Sequence, residues 1–303
     1  MSLAPAARRR QLEHSAESAA ARLPGLLVAA HRIAANVVLG AHGRRRPGVG
    51  ESFWQFRPYA PDDAPQTIDW RQSAKSDALY VREREWTSAQ TVALWCDLSA
   101  SMRFHSRAPW PTKAERAATL ALALAILLVE GSEKIARLSA NGAPVRGASA
   151  GRLAVSQLAE QLAHDLTAEA AGGAPVFPAA MPRHGTSVLI GDFLEPLDDI
   201  AAQLEVFAAR HQSVHLVQVL DPAEETLPFA GRVRFEGLED DGDVVIDRTE
   251  DARGEYTQKL AAHRGGLKAL AAARGWSFAV HHTDAPPHLT LVALHRAIGE
   301  RSR

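Results

Sequence analysis

The run Asp97-Leu98-Ser99-Ala100-Ser101 offers one carboxylate and two hydroxyls at alternating positions. In an extended segment, alternating side chains point the same way, so three hard oxygen donors can gather. Such donors suit Mg²⁺, Mn²⁺ or Ca²⁺, and Mg²⁺ usually keeps several waters as well. Asp192 follows another short apolar run, Ser187–Ile190, and can supply a second carboxylate, directly or through water. The four side chains make a partial octahedron with an open position that a partner's carboxylate can fill. Two simpler readings stand beside this one. The serines can merely cap the turn into the next helix, or the cluster can hold a ligand or partner without a metal.

Catalysis is the weaker expectation. An aspartate after a first strand can accept a phosphoryl group, but phosphatases of that kind want an acid two residues later, and Ser99 stands there. The chain has no Gly-x-x-x-x-Gly-Lys loop and no Gly-x-Ser-x-Gly elbow. His281 and His282 are neighbours on a predicted strand and so face opposite sides. The single cysteine, Cys96, lies in an apolar run and reads as a small buried residue. It excludes a disulfide framework and argues against a cysteine-ligated zinc.

These residues need elements to position them. Thr91–Cys96 is an apolar run of strand length, and Lys113–Glu130 an apolar helix with charged ends. Ile135–Ala140 reads as a strand ending at the turn Asn141-Gly142, and Gly151–Ala171 as an amphipathic helix. The alternation continues through helix Pro196–Arg210, strand Ser213–Leu220, helix Asp251–Arg274, strand Trp276–His281 and helix Leu289–Ile298. A small hairpin is predicted from Val233–Phe235 and Val244–Ile246. Strands alternating with helices predict a mainly parallel, doubly wound α/β sheet. Ligands of such sheets bind beyond the carboxyl ends of the strands, where Asp97, Asp192, Asp221 and His282-Thr283-Asp284 fall.

The first 88 residues differ in character and are expected to form an extension on the domain spanning 89–303. Gln11–Leu39 reads as helical, broken at Pro24, and ends in the basic turn Arg44-Arg45-Arg46. Aromatics, Pro and Asp then become dense, with short strands expected at Phe53–Arg57 and Leu79–Trp86 and a loop across Pro58–Asp69. Arg57, Asp69 and Arg71 among Trp and Tyr residues suggest a structural clasp, with a partner-binding face as the alternative.

The formal net charge of −1 gives no general attraction to nucleic acid or to an anionic membrane. The longest apolar stretch, Ala117–Val129, falls short of the roughly 20 residues that span a bilayer. No secretory leader is visible at the N-terminus, and a cytoplasmic location is expected.

The Asp-x-Ser-x-Ser arrangement resembles the metal-ion-dependent adhesion site (MIDAS) of von Willebrand A domains. Asp192, in Leu189-Ile190-Gly191-Asp192, matches that site's third-loop aspartate. Its second-loop threonine has only Thr167 and Thr186 as counterparts, in a region shortened to Ala168–Gly185. Upstream, Gly50-Glu51-Ser52-Phe53-Trp54-Gln55-Phe56-Arg57-Pro58-Tyr59, Asp62-Asp63, Ile68-Asp69-Trp70-Arg71-Gln72-Ser73-Ala74 and Tyr80-Val81-Arg82-Glu83 look like the signature of the bacterial family named domain of unknown function 58. Leu220-Asp221-Pro222-Ala223-Glu224 followed by Leu227-Pro228-Phe229 is also similar. The resemblance covers the chain from about Gly50 to its end. It implies a von Willebrand A-like domain and, as partner, a MoxR-type AAA+ ATPase of the kind thought to act as a chaperone in complex assembly or metal insertion. The expectation is a non-enzymatic adaptor. A divalent ion held by Asp97, Ser99, Ser101 and Asp192 would engage an acidic side chain of a protein partner. A metal-independent interaction module and an Asp97-dependent phosphohydrolase are the alternatives.

Overall fold

A computed structural model describes residues 24–37, 53–60, 65, 68–75, 78–84, 90–138, 148–167, 184–236 and 242–301. The expectations for Gln11 to Leu23, Arg44–Arg46, Asp62-Asp63, the turn Asn141-Gly142 and most of Ala168–Gly185 lie outside these residues.

A five-stranded sheet organises the larger unit. Its strands are β3 (Thr91–Cys96), β4 (Lys134–Arg137), β5 (Thr186–Gly191), β6 (Ser213–Leu220) and β9 (Ser277–His282), after a hairpin of β1 (Phe53–Pro58) and β2 (Tyr80–Arg84). The order is β4-β3-β5-β6-β9, and every neighbouring pair is parallel. Buried on both faces, the strands are near-continuous apolar runs, as parallel sheets require. Alternate residues divide between two cores. Val92, Leu94, Val188, Ile190, Val217 and Val219 pack on one face; Ala93, Trp95, Leu189, Val214 and Leu216 pack on the other.

The first face carries α1 (residues 24–37), α3 (Lys113–Glu130), α4 (Gly151–Thr167) and α8 (Pro287–Arg301). Buried Ala30, Ala34 and Val37 join α1 to that core. The other face carries α5 (Leu197–Ala208) and α7 (Thr249–Ala273), through Ile200, Leu204, Phe207, Leu267 and Ala271. The sheet is therefore doubly wound. Taken in chain order its strands run 2-1-3-4-5, and the order reverses between β3 and β5. That switch point is where open α/β sheets bind ligands, and Asp97 and Asp192 follow those two strands.

By contacts the chain divides into residues 44–89 and the remainder, residues up to Gly43 grouping with the sheet. In the smaller unit β1 pairs antiparallel with β2, with an irregularity between Phe53 and Gln55. Part of the expected loop Pro58–Asp69 is structured: Ile68 bridges Val81, and Asp69 caps a one-turn helix, α2 (Trp70–Ser73), by accepting from Gln72 N at 2.9 Å. Ser73 Oγ donates to Asp69 O and accepts from Tyr80 N, both at 2.9 Å.

Two further elements complete the larger unit. A five-residue helix, α6 (Pro222–Thr226), follows β6, and the predicted hairpin forms from β7 (Val233–Phe235) and β8 (Val244–Ile246). Among the described residues no helix is long and apolar enough to cross a membrane.

Candidate metal centre

Asp97 extends the β3 ladder by one residue, its N–H donating to Ile190 O at 2.8 Å. The chain then curls instead of staying extended: Ala100 is helical, and Ser101–Arg103 forms a 3-10 turn anchored by the fully buried Met102. The curl still brings the oxygens together. Ser99 N–H donates to Asp97 Oδ1 at 2.9 Å, Ser99 Oγ lies 3.1 Å from Ser101 Oγ, and Ser101 Oγ donates to Asp192 Oδ2 at 3.0 Å. Ser99 and Asp192 are buried, whereas Asp97 and Ser101 keep partial access to solvent. Gly191 permits the close approach of the two strand ends. A Cβ there would lie 3.0 Å from Asp97 Cβ and 3.3 Å from Trp95 Cζ3.

Sequence reading did not single out Lys113. It is the first residue of α3, 1% exposed, and its ammonium donates to Asp192 Oδ2 at 2.9 Å and Glu224 Oε1 at 2.5 Å. A lysine in a helix's first turn opposes the macrodipole, and burial adds a desolvation cost. The two carboxylates more than offset burial and hold its pKa above the ordinary lysine value. Glu224 Oε2 in turn accepts from Asp221 N at 2.8 Å, completing a capping box at α6. Asp192 is steadied further by Gln218 Nε2, which donates to its backbone carbonyl at 2.9 Å.

The electrostatics leave Asp97 under-satisfied. Burial first, and then the charge of Asp192, push its pKa up to about 6, despite the Ser99 hydrogen bonds that lower it. The Lys113 ammonium serves Asp192 and Glu224, and Asp97 adds a third carboxylate beside Asp192. That excess of negative charge fits a divalent cation. The spacing fits too. Mg²⁺ with oxygens at about 2.1 Å in an octahedron sets adjacent ligands about 3.0 Å apart, and the Ser99–Ser101 and Ser101–Asp192 oxygens are 3.1 and 3.0 Å apart. Among the described residues no group of three or more His, Cys, Asp or Glu forms a metal-holding cluster, so the fit relies on hydroxyls as well as carboxylates. An ion here would supply a Lewis-acidic anchor for a partner's carboxylate. Of the two second-loop threonine candidates, Thr167 ends α4 next to Leu166, which lines a pocket with Leu98 and Arg103, and Thr186 lies at the far end of β5. Thr167 Oγ1 donates to His164 O in the last turn of α4, and Thr186 opens β5, a strand's length from Asp192.

A second polar cluster closes β6 and β9. Fully buried Asp221 accepts from Ala223 N at 2.9 Å, Ser106 N at 3.0 Å and Thr283 Oγ1 at 3.3 Å. These bonds outweigh burial and hold its pKa below the usual carboxylate value. His281 turns toward α8, its Nδ1 2.9 Å from Thr290 Oγ1, while His282 pairs with Glu225 on α6. Burial first, then the charges of Arg116 and His282, push the His281 pKa down to about 3, so it is neutral at physiological pH. The two histidines thus serve different sites, as their adjacency on a strand implied. Burial pushes the Cys96 thiol up to about 12, which makes it unreactive.

A family model described as "Protein of unknown function DUF58" matches residues 55–266. An uncharacterized protein of Mycobacterium tuberculosis is 30% identical over 241 residues, 76% of this chain and 74% of its own length, and one of Mycobacterium bovis matches equally. Among solved structures, an aerotolerance-related membrane protein from Bacteroides fragilis is 16% identical with a TM-score of 0.42, covering 70% of this chain and 100% of its own. BatB from Bacteroides thetaiotaomicron is 14% identical with the same TM-score and coverage. With a family match over most of its length, this chain belongs to the DUF58 family.

Proposed function

We propose that this protein is a non-enzymatic adaptor whose switch-point crevice docks a partner through a divalent ion. Asp97, Ser99, Ser101 and Asp192 would hold the ion, most simply Mg²⁺, and an acidic side chain of the partner would complete its coordination. The carrying observation is the gathering of the Asp97, Ser99, Ser101 and Asp192 oxygens at the switch point, with Ser101 Oγ 3.1 Å from Ser99 Oγ and 3.0 Å from Asp192 Oδ2 and the Asp97 carboxylate raised beside Asp192. A carboxylate in that position gains by meeting a cation. The family resemblance points to a MoxR-type AAA+ ATPase as the partner, in complex assembly or maturation. Ser99 stands where a phosphohydrolase would place its second acid, which favours binding over turnover.

A metal-independent docking site is the second reading, and Lys113 favours it, because its ammonium already serves Asp192. Co-purification of the full chain with a MoxR-type ATPase separates the two. The metal reading expects complex in Mg²⁺ and its loss in EDTA or with Asp97→Ala. Complex that survives both contradicts the metal bridge and supports the second reading; Asp97-dependent phosphoester turnover contradicts both.

A further inference from the structure

The amino edge of the sheet carries a pair of histidines that the docking face does not use. His184 N donates to Arg210 O at 3.1 Å and Ser213 N to Gly185 O at 2.9 Å. The β5–β6 ladder thus runs on past Thr186 and sets His184 beside His211. Both side chains are exposed, and their rings stack with centroids 5.2 Å apart and planes 9° from parallel. Thr186 to Asp192 alone spans about 20 Å of strand, so this pair is remote from the oxygen cluster at the carboxyl edge.

Both histidines occupy left-handed backbone, His184 at φ 61° and His211 at φ 54°. The turn at His211 does not call for histidine. Gln212 N donates to Phe207 O at 3.0 Å and His211 N to Ala208 O at 2.9 Å, the two bonds that close a helix around a left-handed residue, usually glycine. Helix α7 closes in the same way, with Trp276 N on Ala271 O at 2.8 Å and Gly275 N on Ala272 O at 2.9 Å, and its left-handed residue is Gly275 at φ 67°. A side chain kept where glycine fits better is backbone strain of the kind that gathers at functional positions. The backbone beneath the pair is firmly held. Gln212 is buried; its Oε1 accepts from Ser187 Oγ at 3.2 Å and its carbonyl from Trp276 Nε1 at 3.0 Å. Gly185 leaves room for it, since a Cβ there would lie 2.9 Å from Gln212 Oε1.

We propose that His184 and His211 form a second ion site, for a divalent transition metal of the Zn²⁺ class. Imidazole nitrogen suits Zn²⁺, Ni²⁺ and Cu²⁺, whereas Mg²⁺ prefers oxygen, so the two edges of the sheet select different ions. A tetrahedral Zn²⁺ with Zn–N near 2.1 Å sets two ligand nitrogens about 3.3 Å apart. The exposed rings reach that spacing by rotating out of the stack, which turns one lone pair of each toward a shared ion. Among the described residues no third His, Cys, Asp or Glu joins them, so water or a donor from another molecule fills the remaining positions. The bound ion ties the start of β5 to the end of α5.

Calorimetric titration of Zn²⁺ into the full chain at neutral pH, in excess Mg²⁺, tests the site in wild type, Asp97→Asn, His184→Asn and His211→Asn. Asparagine also tolerates left-handed backbone, so the two histidine variants keep the turn, and their metal-free melting temperatures should match wild type. Wild type and Asp97→Asn are expected to bind one Zn²⁺ with equal affinity. Each histidine variant should bind at least about tenfold more weakly, the loss that even an outer partner of a metal ligand causes. With Cu²⁺ as the probe, electron paramagnetic resonance should show two imidazole nitrogens in wild type and fewer in either histidine variant. No Zn²⁺ binding, an affinity that either histidine variant leaves unchanged, or binding lost in Asp97→Asn overturns the proposal.

Discussion

Asp97 and Asp221 each follow a strand of the same parallel sheet at its carboxyl edge, yet their carboxylates stand in opposite circumstances. Asp221 is fully buried, takes three hydrogen bonds and is held below the ordinary carboxylate pKa. Asp97 keeps access to solvent, accepts from Ser99, faces Asp192 and is pushed up to about 6. On the proposed reading, the difference separates construction from binding. A carboxylate whose oxygens are fully engaged ties segments together; one left short of positive charge stores an affinity for a cation. Lys113 links the two clusters, pairing with Asp192 directly and with Glu224, which accepts from the Asp221 backbone N–H.

Removing the link should have the largest effect. Lys113→Met strands the buried Asp192 and half-buried Glu224 carboxylates, and breaking a buried pair costs about 3–5 kcal/mol, read as a lower urea midpoint with little change in slope. Adding Glu224→Gln should recover part of that loss, since one stranded charge disappears. Asp221→Ala comes next, at about 2–3 kcal/mol, because three donors, of Ala223, Ser106 and Thr283, lose their acceptor; no change in the urea midpoint would remove the structural half of the contrast. Gly191→Ala forces Asp97 and Trp95 away from the new methyl group and should cost about 1–3 kcal/mol. Asp97→Asn should raise ion-free stability at neutral pH by about 1–3 kcal/mol, because it removes a carboxylate held above its ordinary pKa.

The pH dependence sharpens the contrast. With Asp97 raised from 3.8 to about 6, the folded protein binds more protons than the unfolded chain between those values. Its contribution to stability therefore falls as pH rises through that window, and Asp97→Asn should flatten the slope. Asp221, shifted down, acts with the opposite sign: its contribution is full above the ordinary carboxylate pKa and is lost as pH falls below it. Melting temperatures from about pH 2 to about pH 7 for wild type, Asp97→Asn and Asp221→Ala check the two signs.

The sheet was legible because its strands are apolar runs bounded by polar residues and separated by helices of clear period, so parallel pairing and two covered faces followed. The meeting of Asp97, Ser99, Ser101 and Asp192 was legible for the same reason: each lies at a strand's carboxyl end. Lys113 and Glu224 were not. A lysine beginning a helix reads as a solvated end, and its partners lie 79 and 111 residues away. A faint signal existed in a basic residue placed against the dipole at a helix start. The short helices had a clearer one. Asp221-Pro222-Ala223-Glu224 spells an N-cap, a first-turn proline and a reciprocal Glu, and Asp69 likewise precedes α2.

Calorimetric titration of Mg²⁺ into the full chain at neutral pH, for wild type and Asp97→Asn, decides whether the switch point holds an ion. Wild type should bind one ion, and the variant should bind it at least about tenfold more weakly with the fold retained. Identical titrations, or no binding by wild type, would contradict an ion there.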